Sequence, residues 1–523
     1  MAEISAAGPV RLAELLAALS LGIDLGFDQP MEHVLRQCRI ALRIGELAGL
    51  DEAQRAALYY TALLVNVGCH TDAHEQARWF GDDIGLKATK YQHDPFSVAD
   101  IAAMLRLLGS GATPLHRVRV AFDFAISGHK QVDGMIARHA RLARALGEQL
   151  GLPSTVLNAL AGSYERWDGR GFPGSLAGTD IPVESRIAQL AEFLEVAHRT
   201  GGSAAALNIA QRRSGKQFDP DLVALFTADA EKVLHGIDEI GSWDAVLDSE
   251  PSLAVALTPT ECDTALAAIA RFVDLKSPYM LGHSQAVADL AAAAGRHLGL
   301  SVGESHVLHR AGLVSGLGRL GVSNAIWDKQ TPLTAGEWER VRLHPHLTER
   351  MLHRSEALAP LGRIAVQQRE RLDGSGYPRG LSAPAITRPG RILAAADAYQ
   401  AMREPRPHRA ALSADDAAAA LREGVRSGRM DGPAVDAVLF VAGHHLGRRR
   451  AGPAGLTTRE VDVLRLLTRG LSNKQIAAHL VITPKTVGNH IEHIYTKIDA
   501  TGRAEACLFA MQHGLLPEHT TTH

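Results

Sequence analysis

The chain has 523 residues, of which 46% are hydrophobic and 21% are charged, and its formal net charge is −2. This composition is that of an ordinary globular protein, and the length is too great for one hydrophobic core, so we expect two to four domains. Because the charges nearly cancel, no global field draws the molecule to nucleic acid or to a membrane. Any contact with DNA must therefore come from a local patch.

The sequence indicates neither a membrane anchor nor a disulfide framework. The apolar stretch at residues 12–27 is interrupted by Glu14 and Asp24, and no uncharged apolar run reaches the roughly 18–20 residues that cross a bilayer. The four cysteines lie far apart and include no CxxC pair. This spacing fits reduced thiols in a cytosol, so we expect a cytoplasmic protein without membrane contact.

An internal repeat organises the first 445 residues. Residues 165–174 (ERWDGRGFPG) match residues 370–379 (ERLDGSGYPR) without a gap, at an offset of 205 residues. The register continues beyond these segments through matching isoleucines and arginines. Self-similarity at a fixed offset is the mark of a duplicated domain.

The upstream part of the repeat has a different offset. His33 pairs with His283, and residues 63–68 pair with residues 313–318, both at an offset of 250 residues. The first copy therefore carries about 45 extra residues, which the matches place between positions 68 and 163.

Both copies are predicted to be helical. Alanine- and leucine-rich stretches at residues 136–150, 284–298 and 413–425 carry apolar residues at three- and four-residue spacing. Residues 258–261 (TPTE) form a capping box with proline at the first helical position, which predicts a helix start. Few alternating β-branched runs occur, so we expect little sheet.

The C-terminal segment carries three helix-start signals in close succession. Residues 457–460 (TTRE) and 472–475 (SNKQ) are capping boxes, and Thr483 is placed to cap a helix whose first residue is Pro484. Apolar residues follow each signal at helical spacing: Val461, Leu464, Leu467, Ile476, Leu480, Val487, Ile491, Ile494, Tyr495 and Ile498. Short connections between such helices predict a helix-turn-helix.

One polar face of this segment suits DNA. The candidate DNA-binding residues are Ser472, Asn473, Lys474, Thr483, Lys485, Thr486, Asn489, His490, His493 and Lys497. Asparagine can bond adenine edges in two places, and lysine meets guanine acceptors or phosphate. Hydroxyls and N–H groups at helix N-termini favour phosphate.

Three motifs carry a resemblance to a known family of DNA-binding domains. Residues 456–461 (LTTREV), 470–477 (GLSNKQIA) and 486–490 (TVGNH) closely resemble the LuxR-type (GerE-like) helix-turn-helix family over about 60 residues. The resemblance implies a small four-helix domain that binds double-stranded promoter DNA as a homodimer. A small bundle used only for protein contacts is the alternative.

The second copy of the repeat resembles another family. Residues 282–284 (GHS), 344–345 (HP), 373–378 (DGSGYP) and 396–397 (AD) resemble the HD-GYP phosphohydrolases, and the first copy is a more distant relative. The resemblance implies a helical fold of the kind that hydrolyses cyclic di-GMP at a centre of two or three metal ions. In such a centre, imidazoles and carboxylates hold the metals and one carboxylate bridges them.

This sequence departs from the family at the metal ligands. The bridging His-Asp dyad is replaced by Val65-Asn66 in the first copy and by Ser315-Gly316 in the second. The later His-His pair is replaced by Ser163-Tyr164 and by Gln368-Arg369. The positions that survive are His33, Glu192, His283, His344 and Asp397. A dinuclear centre cannot be assembled from these, so we expect no cofactor, although a residual divalent metal at His283, His344 and Asp397 stays open.

A scaffold that has lost its metal ligands suggests binding without cleavage. Arg319 keeps a positive charge where the family has lysine, and Arg391 and Arg186 are further forked donors that can meet phosphate. These three arginines are our candidates for a nucleotide or another small-molecule effector. Two alternatives remain: a helical body that only dimerises the DNA-binding module, and a metal-dependent phosphohydrolase or cyclic di-GMP phosphodiesterase coupled to DNA binding.

A short cluster after the first degenerate dyad offers four potential ligands within six residues: Cys69, His70, Asp72 and His74. Two histidines four residues apart can share a helical face and clasp a metal. Clusters of this kind are more often solvated or capping residues.

Together these patterns predict an all-α bacterial transcriptional regulator. The expected segments are a degenerate HD-type domain with the insertion at residues 1–245, a second one at 255–443, a linker at 444–454 and the helix-turn-helix domain at 455–520. The expected partners are promoter DNA, a second copy of the chain and a nucleotide or small-molecule effector.

Overall fold

The computed structural model of the chain describes residues 10–91, 129–239, 241–251, 256–444, 453–513 and 515. These residues form helices and turns, and the only β-pairing among them consists of isolated bridges. The all-α prediction is therefore confirmed. The chain divides into two compact units, Met1–Ala442 and Gly443–His523. Across the described ranges, no helix combines the length and apolar character that a bilayer crossing requires.

The first copy of the repeat supplies eleven of the described helices. They are α1 (Leu12–Gly26), α2 (His33–Leu47), α3 (Glu52–Leu64), α4 (Ala73–Phe80), α5 (Asp83–Ala88), α6 (His129–Gln149), α7 (Ser154–Ala161), α8 (Val183–Arg213), α9 (Pro220–Ala228), α10 (Ala230–Leu234) and α11 (Ser242–Asp248). The long α8 is kinked at Gly201 and Gly202, whose dihedral angles are not helical.

The second copy supplies nine described helices. They are α12 (Pro259–Asp274), α13 (His283–His297), α14 (Val302–Val314), α15 (Asn324–Trp327), α16 (Ala335–Leu352), α17 (Ala359–Ala365), α18 (Arg388–Arg403), α19 (Ala414–Arg426) and α20 (Gly432–Val441). Thr258 caps α12 and exchanges hydrogen bonds with Glu261, so the capping box predicted there is confirmed.

Two close backbone approaches show that the copies are built alike. A Cβ added to Gly318 would lie 1.9 Å from the His344 carbonyl oxygen, and one added to Gly68 would lie 2.3 Å from the His139 carbonyl oxygen. His139 therefore corresponds to His344, at the same offset of 205 residues as the downstream repeat. This correspondence narrows the extra segment of the first copy to the chain between residues 68 and 139.

The two copies are joined through a buried carboxylate. Asp83 at the start of α5 is fully buried and accepts hydrogen bonds from Ser323 Oγ at 2.6 Å and from the Asn324 N–H at 2.7 Å. Its Oδ2 also lies 3.4 Å from Lys276 Nζ. Burial alone would raise the pKa of Asp83, but the charges of Lys276 and Lys87 lower it to about 2. One side chain of the first copy is thus part of the core of the second.

The C-terminal unit is a small helical bundle with a core of its own. Its helices are α21 (Thr458–Thr468), α22 (Asn473–Leu480), α23 (Pro484–Ile498) and α24 (Arg503–Gln512). Thr457, Ser472 and Thr483 accept hydrogen bonds as the N-caps of α21, α22 and α23, as predicted. The predicted apolar stripes meet in the core of this unit, where Leu464, Ile476, Val487 and Ile494 are fully buried.

Candidate functional site

The three candidate metal ligands of the second copy are all buried, but only two of them touch. His283 begins α13, His344 lies within α16 and Asp397 lies within α18, and none is more than 3% exposed. His283 Nε2 lies 3.3 Å from Asp397 Oδ1, and His283 Nδ1 lies 2.8 Å from Glu404 Oε2. His344 is held separately by a hydrogen bond from Nδ1 to the Val341 carbonyl at 2.6 Å.

Two guanidinium groups lie among these residues. Arg369 pairs with Asp397, with Nη1 3.1 Å from Oδ2 and Nη2 donating to Oδ1 at 3.3 Å. Buried Arg319 places Nη2 3.4 Å from His283 Nε2. Burial alone would raise the pKa of Asp397, but Arg369, His283 and Arg319 hold it far below its ordinary value. Burial and the charge of Arg369 lower the pKa of Arg319 to about 10, so both arginines stay charged at neutral pH.

The residues present do not fit the metal centre that the family resemblance implies. The dyad position holds Ser315, whose hydroxyl donates to the Gly312 carbonyl at 2.8 Å, and Gly316, which has no side chain. Gln368 donates to the Ser315 carbonyl at 2.8 Å. In the ranges that the structure describes, no group of three or more His, Cys, Asp or Glu side chains is placed to hold a metal ion. The arginine on Asp397 supplies the positive charge that a metal would bring.

A cavity of about 580 Å³ opens beside these arginines. Cationic side chains on its wall are Arg319, Arg369, Arg406, Arg409, Lys276 and Lys329, and aromatic ones are Tyr279, Trp327, Trp338 and Tyr377. The acidic side chains on the wall are Asp274 and Asp328. Its volume lies within the range of about 300–1,000 Å³ that is typical of small-molecule sites. The lining combines anion-binding groups with flat apolar rings.

Several buried polar atoms at this cavity have no hydrogen-bond partner among the described residues: Arg319 Nε, Arg369 Nε, Trp327 Nε1 and His344 Nε2. A buried donor without an acceptor costs about 1–3 kcal/mol, so such groups usually meet water or a ligand. Burial and the charges of Arg319 and Arg369 lower the pKa of His344 to about 3, which keeps its ring neutral. Three of these four atoms, Arg319 Nε, Arg369 Nε and Trp327 Nε1, are donors, and they belong to residues that line the cavity.

The other two candidate effector arginines lie outside this cavity. Arg186 pairs with Asp219, which caps α9. Arg391 places Nη1 3.0 Å from Asp431, which caps α20, and also donates to the Ile386 carbonyl at 3.0 Å. Each arginine therefore pairs with the aspartate that caps a helix in its own copy of the repeat. Neither arginine lines the arginine-lined cavity, and Arg186 Nε has no hydrogen-bond partner among the described residues. An effector contact at these two arginines stays a prediction.

The equivalent position in the first copy also holds a cation. Lys90 donates to Glu192 Oε1 at 2.6 Å and to Asn66 Oδ1 at 3.1 Å, and Asn66 donates to the same carboxylate at 2.8 Å. Glu192 is the counterpart of Asp397 in the repeat, and Lys90 comes from the extra segment. His33, the counterpart of His283, pairs with Glu195. In both copies a basic side chain neutralises the surviving carboxylate.

The four potential ligands that follow the first dyad point to different partners. His70 Nδ1 lies 2.8 Å from the Val67 carbonyl oxygen, and its Nε2 lies 2.8 Å from the Phe272 carbonyl oxygen. His74 Nδ1 lies 2.8 Å from Asp328 Oδ2, and Cys69 Sγ lies 2.9 Å from the Tyr164 hydroxyl. A metal clasp at this cluster is therefore not supported by the geometry.

The predicted DNA-binding face lies mainly on α22 and α23. Asn473, Lys474, Lys485, Asn489 and His493 are exposed there, as are Ser472 and Thr483, and Thr486 and His490 are half-buried. The hydroxyls of Ser472 and Thr483 already accept capping hydrogen bonds. Lys497 is exposed on α23, and its Nζ donates a hydrogen bond to Glu460 at 2.7 Å. Glu460 is the capping-box residue of α21, so Lys497 links two helices.

Arg369 and Lys90 were not among the site residues that the sequence predicts. Arg369 was visible only as a substitution for a family histidine, and its contact with Asp397 joins residues 28 positions apart. Lys90 lies in the extra segment, where the repeat supplies no counterpart. For Arg369, the signal in the sequence was a basic residue at a position where the family has a metal-binding histidine.

Two family models match the chain. One, described as HD domain, matches residues 130–222 and 267–434, and the other, described as bacterial regulatory proteins of the luxR family, matches residues 454–510. The HD match covers parts of both copies of the repeat. The second match covers the described helices α21 to α23 and most of α24.

Similar proteins cover most of the chain. It is 31% identical over 436 residues to a 3'3'-cGAMP-specific phosphodiesterase of Vibrio cholerae, an alignment that spans 82% of this chain and 93% of that protein. A crystal structure of a cyclic GMP-AMP specific phosphodiesterase from V. cholerae matches with a TM-score of 0.59 and 28% identity, over 84% of this chain and 99% of that one. The response regulator protein VraR of Staphylococcus aureus is 41% identical over 61 residues, which is 12% of this chain and 29% of that protein.

Proposed function

The chain belongs to the HD-domain family and ends in a LuxR-type helix-turn-helix domain, and from this premise we propose that it is a transcriptional regulator controlled by a cyclic dinucleotide. The ligand binds in the arginine-lined cavity of the second HD copy and is not hydrolysed there. The LuxR-type domain binds promoter DNA as part of a homodimer.

The placement of Arg369 carries the proposal. Its guanidinium neutralises Asp397, and a serine and a glycine stand where the family has its bridging dyad. A metal-activated water needs a bridging carboxylate and a second ligand set, and these are missing from the described residues. A guanidinium instead binds phosphate through parallel charged hydrogen bonds without activating water.

The cavity wall supports a ligand with both phosphates and bases. Arg319 and Arg369 each have an unpaired Nε, and Trp327 has an unpaired indole N–H. Trp338 is 43% exposed and Tyr377 is half-buried, and both lie on the same wall. Stacking of a base on an aromatic ring is worth about 1–3 kcal/mol. The V. cholerae relatives are named for 3'3'-cGAMP, which has two phosphodiesters and two bases, and this makes cyclic dinucleotides the first class to test.

Isothermal calorimetry on the full chain tests the proposal, with 3'3'-cGAMP and cyclic di-GMP as ligands. We expect binding, and we expect Arg319→Met to weaken it by about tenfold, because a charged hydrogen bond contributes roughly 1.5–3 kcal/mol. Exposed Arg363 of α17, which does not line the cavity, supplies the matched control Arg363→Ala. This control should bind like the unmodified protein.

The same ligands are incubated with the protein and Mg²⁺ or Mn²⁺ and then separated by chromatography. Intact dinucleotide after long incubation agrees with the proposal. Linear product that requires His283 and Asp397 contradicts it and makes the chain a phosphodiesterase. If no cyclic dinucleotide binds, the proposal is wrong, and the alternative is that the two HD copies serve only to dimerise the DNA-binding domain.

A further inference from the structure

The arginine-lined cavity of the second copy has one feature that phosphate binding does not explain. Its wall is mainly cationic, yet Asp274 and Asp328 also belong to it. A carboxylate repels a phosphate and therefore weakens an anion site unless it serves another purpose. Asp274 has such a purpose at the start of α13, where Ser284 donates to its two oxygens from the N–H at 2.9 Å and from Oγ at 2.7 Å. The presence of Asp328 on the wall needs a different reason.

Asp328 directly follows α15, and its carboxylate is held in one orientation. Its Oδ1 accepts a hydrogen bond from Ser277 Oγ at 2.9 Å, and its Oδ2 accepts one from Asn324 Nδ2 at 2.9 Å. His74 Nδ1 of the first copy lies 2.8 Å from Oδ2. The side chain is 11% exposed, and no lysine or arginine of the described ranges forms a salt bridge with it. A carboxylate offers about four lone-pair sites, so Oδ1 can accept another hydrogen bond.

Asn324 supplies a second acceptor beside this carboxylate. It is fully buried, and its Nδ2 donates both to the Lys276 carbonyl at 2.8 Å and to Asp328 Oδ2. These two hydrogen bonds fix which end of the amide carries the oxygen. Asn324 Oδ1 has no hydrogen-bond partner among the described residues. Because both amide hydrogens are already used, the side chain of Asn324 can act toward a ligand only as an acceptor.

Two neighbouring acceptors suit the edge of a base that presents two neighbouring donors. Guanine presents its N1–H and its exocyclic 2-amino group side by side. Adenine presents one amino group beside a ring nitrogen, whose lone pair would face an acceptor. Asparagine binds adenine through one donor and one acceptor together, and Asn324 has no donor left for this purpose. The arrangement therefore favours guanine over adenine.

The acceptors lie close to the arginine that we assign to phosphate binding. Trp327 of α15 stands between Asn324 and Asp328 in the sequence, and its ring centre lies 5.8 Å from Arg319 Cζ. All four residues line the same cavity. One nucleotide can therefore meet Arg319 with its phosphate and the end of α15 with its base.

On the basis of the proposed function, we propose that Asp328 and Asn324 determine the base specificity of this cavity and select guanine. One guanine donor, N1–H or the 2-amino group, binds Asp328 Oδ1, and the other binds Asn324 Oδ1. Ser277 and His74 are positioning residues, because they hold the Asp328 carboxylate in place. The selection extends to the 2-amino group, which distinguishes guanine from hypoxanthine.

Isothermal calorimetry on the full chain tests this selection with cyclic di-GMP, cyclic di-IMP and cyclic di-AMP. Cyclic di-IMP differs from cyclic di-GMP only by the absence of the 2-amino groups. We expect it to bind about tenfold more weakly, because a buried acceptor loses its hydrogen bond. Cyclic di-AMP should bind more weakly still, since it also places a lone pair against an acceptor.

Three variants separate base recognition from phosphate binding. Asp328→Asn keeps the size of the side chain but replaces an acceptor by a donor, so the preference for cyclic di-GMP over cyclic di-AMP should fall by about tenfold. Asp289→Asn is the matched control, because Asp289 is exposed on α13 and does not line the cavity. This control should keep the preference. Arg319→Met should weaken the binding of all three ligands by a similar factor.

The outcomes distinguish this inference from the proposed function on which it rests. Equal affinity for the three ligands overturns the guanine selection and leaves the proposed function standing, as does an unchanged preference in Asp328→Asn. Thermal melting shows whether Asp328→Asn folds, and the ligand series on the unmodified chain decides if it does not. If none of the three ligands binds the unmodified chain, the proposed function is wrong, and the guanine selection is wrong with it.

Discussion

At the scale of single residues, each copy of the repeat places a basic side chain against a buried carboxylate, and the type of basic residue differs between the copies. Asp397 is paired with Arg369, and Glu192 is paired with Lys90. A buried carboxylate without a partner is strongly disfavoured, because burial penalises the charged form. Because other residues stand at the positions of the family's metal ligands, the remaining buried carboxylate needs a cation from the protein. Both copies supply one from the protein itself.

The DNA-binding face makes a residue-scale prediction. We predict that Lys485 and Asn489 contact a base edge or phosphate, so Lys485→Ala and Asn489→Ala should each weaken specific DNA binding by about 1–3 kcal/mol. The measurement is fluorescence anisotropy on a duplex that the unmodified chain selects from a random library.

Arg465 provides the control for this measurement. It is exposed on α21, outside the predicted face. Arg465→Ala should keep the preference for the selected duplex over an unrelated one. If Lys485→Ala and Asn489→Ala both bind the selected duplex as tightly as the unmodified chain, the face is assigned incorrectly.

At the scale of elements, helix starts are the best-determined features of this chain. Thr258, Thr457, Ser472 and Thr483 all cap helices at the positions that their sequence contexts predict. Capping joins residues only two or three positions apart, so the signal is complete within one segment. The contact of Lys497 with Glu460 joins different helices and was not visible in that way.

Glycine positions make an element-scale prediction. Gly318→Ala should destabilise the first unit by at least about 1–3 kcal/mol, the cost of overpacking, because the new Cβ would lie 1.9 Å from the His344 carbonyl oxygen. Gly303→Ala is the matched control, since Gly303 is exposed in α14 and has no atom within 4 Å of an added Cβ.

Thermal melting of both glycine variants checks this expectation. Gly303→Ala should melt at or above the temperature of the unmodified chain, because alanine favours a helix over glycine by about 1 kcal/mol. Equal melting temperatures for Gly318→Ala and Gly303→Ala would show that the close approach of the His344 carbonyl does not restrict position 318 to glycine.

At the scale of the whole molecule, the two HD copies form one compact unit and the DNA-binding helices form another. Asp83 of the first copy joins the two copies. Its partners in the second copy are Ser323, Asn324 and Lys276. His70 of the first copy likewise meets the Phe272 carbonyl of the second. Removing the second copy would therefore take away three partners of Asp83 and leave Lys87 of the first copy as its remaining cation.

Control by a ligand makes a prediction at this scale. A chimera that joins an unrelated homodimeric domain to residues 443–523 should bind the selected duplex but should not respond to a cyclic dinucleotide. The full chain should change its affinity for the duplex when the dinucleotide is added, because coupling requires a ligand site and a DNA site in one molecule. Anisotropy titrations with and without ligand measure both.

These titrations decide between ligand sensing and dimerisation as the role of the first compact unit, Met1–Ala442. A ligand-dependent change in the full chain that Arg319→Met abolishes supports sensing by the second copy. Equal DNA affinity with and without ligand in the full chain assigns the first unit to dimerisation alone.

The amino-acid sequence by itself determined the helical class, the helix starts, the duplication, the DNA-binding module and the loss of the dyad ligands. These features depend on residues within a few positions of one another or on matching segments. Only the tertiary structure decided that Arg369 meets Asp397 and that Lys90 meets Glu192. Each of these pairs joins helices or turns that are distant in the sequence, so the contact depends on how those segments pack. It also decided that Arg186 and Arg391 fix helix starts, because only the folded chain shows where their charges are already neutralised.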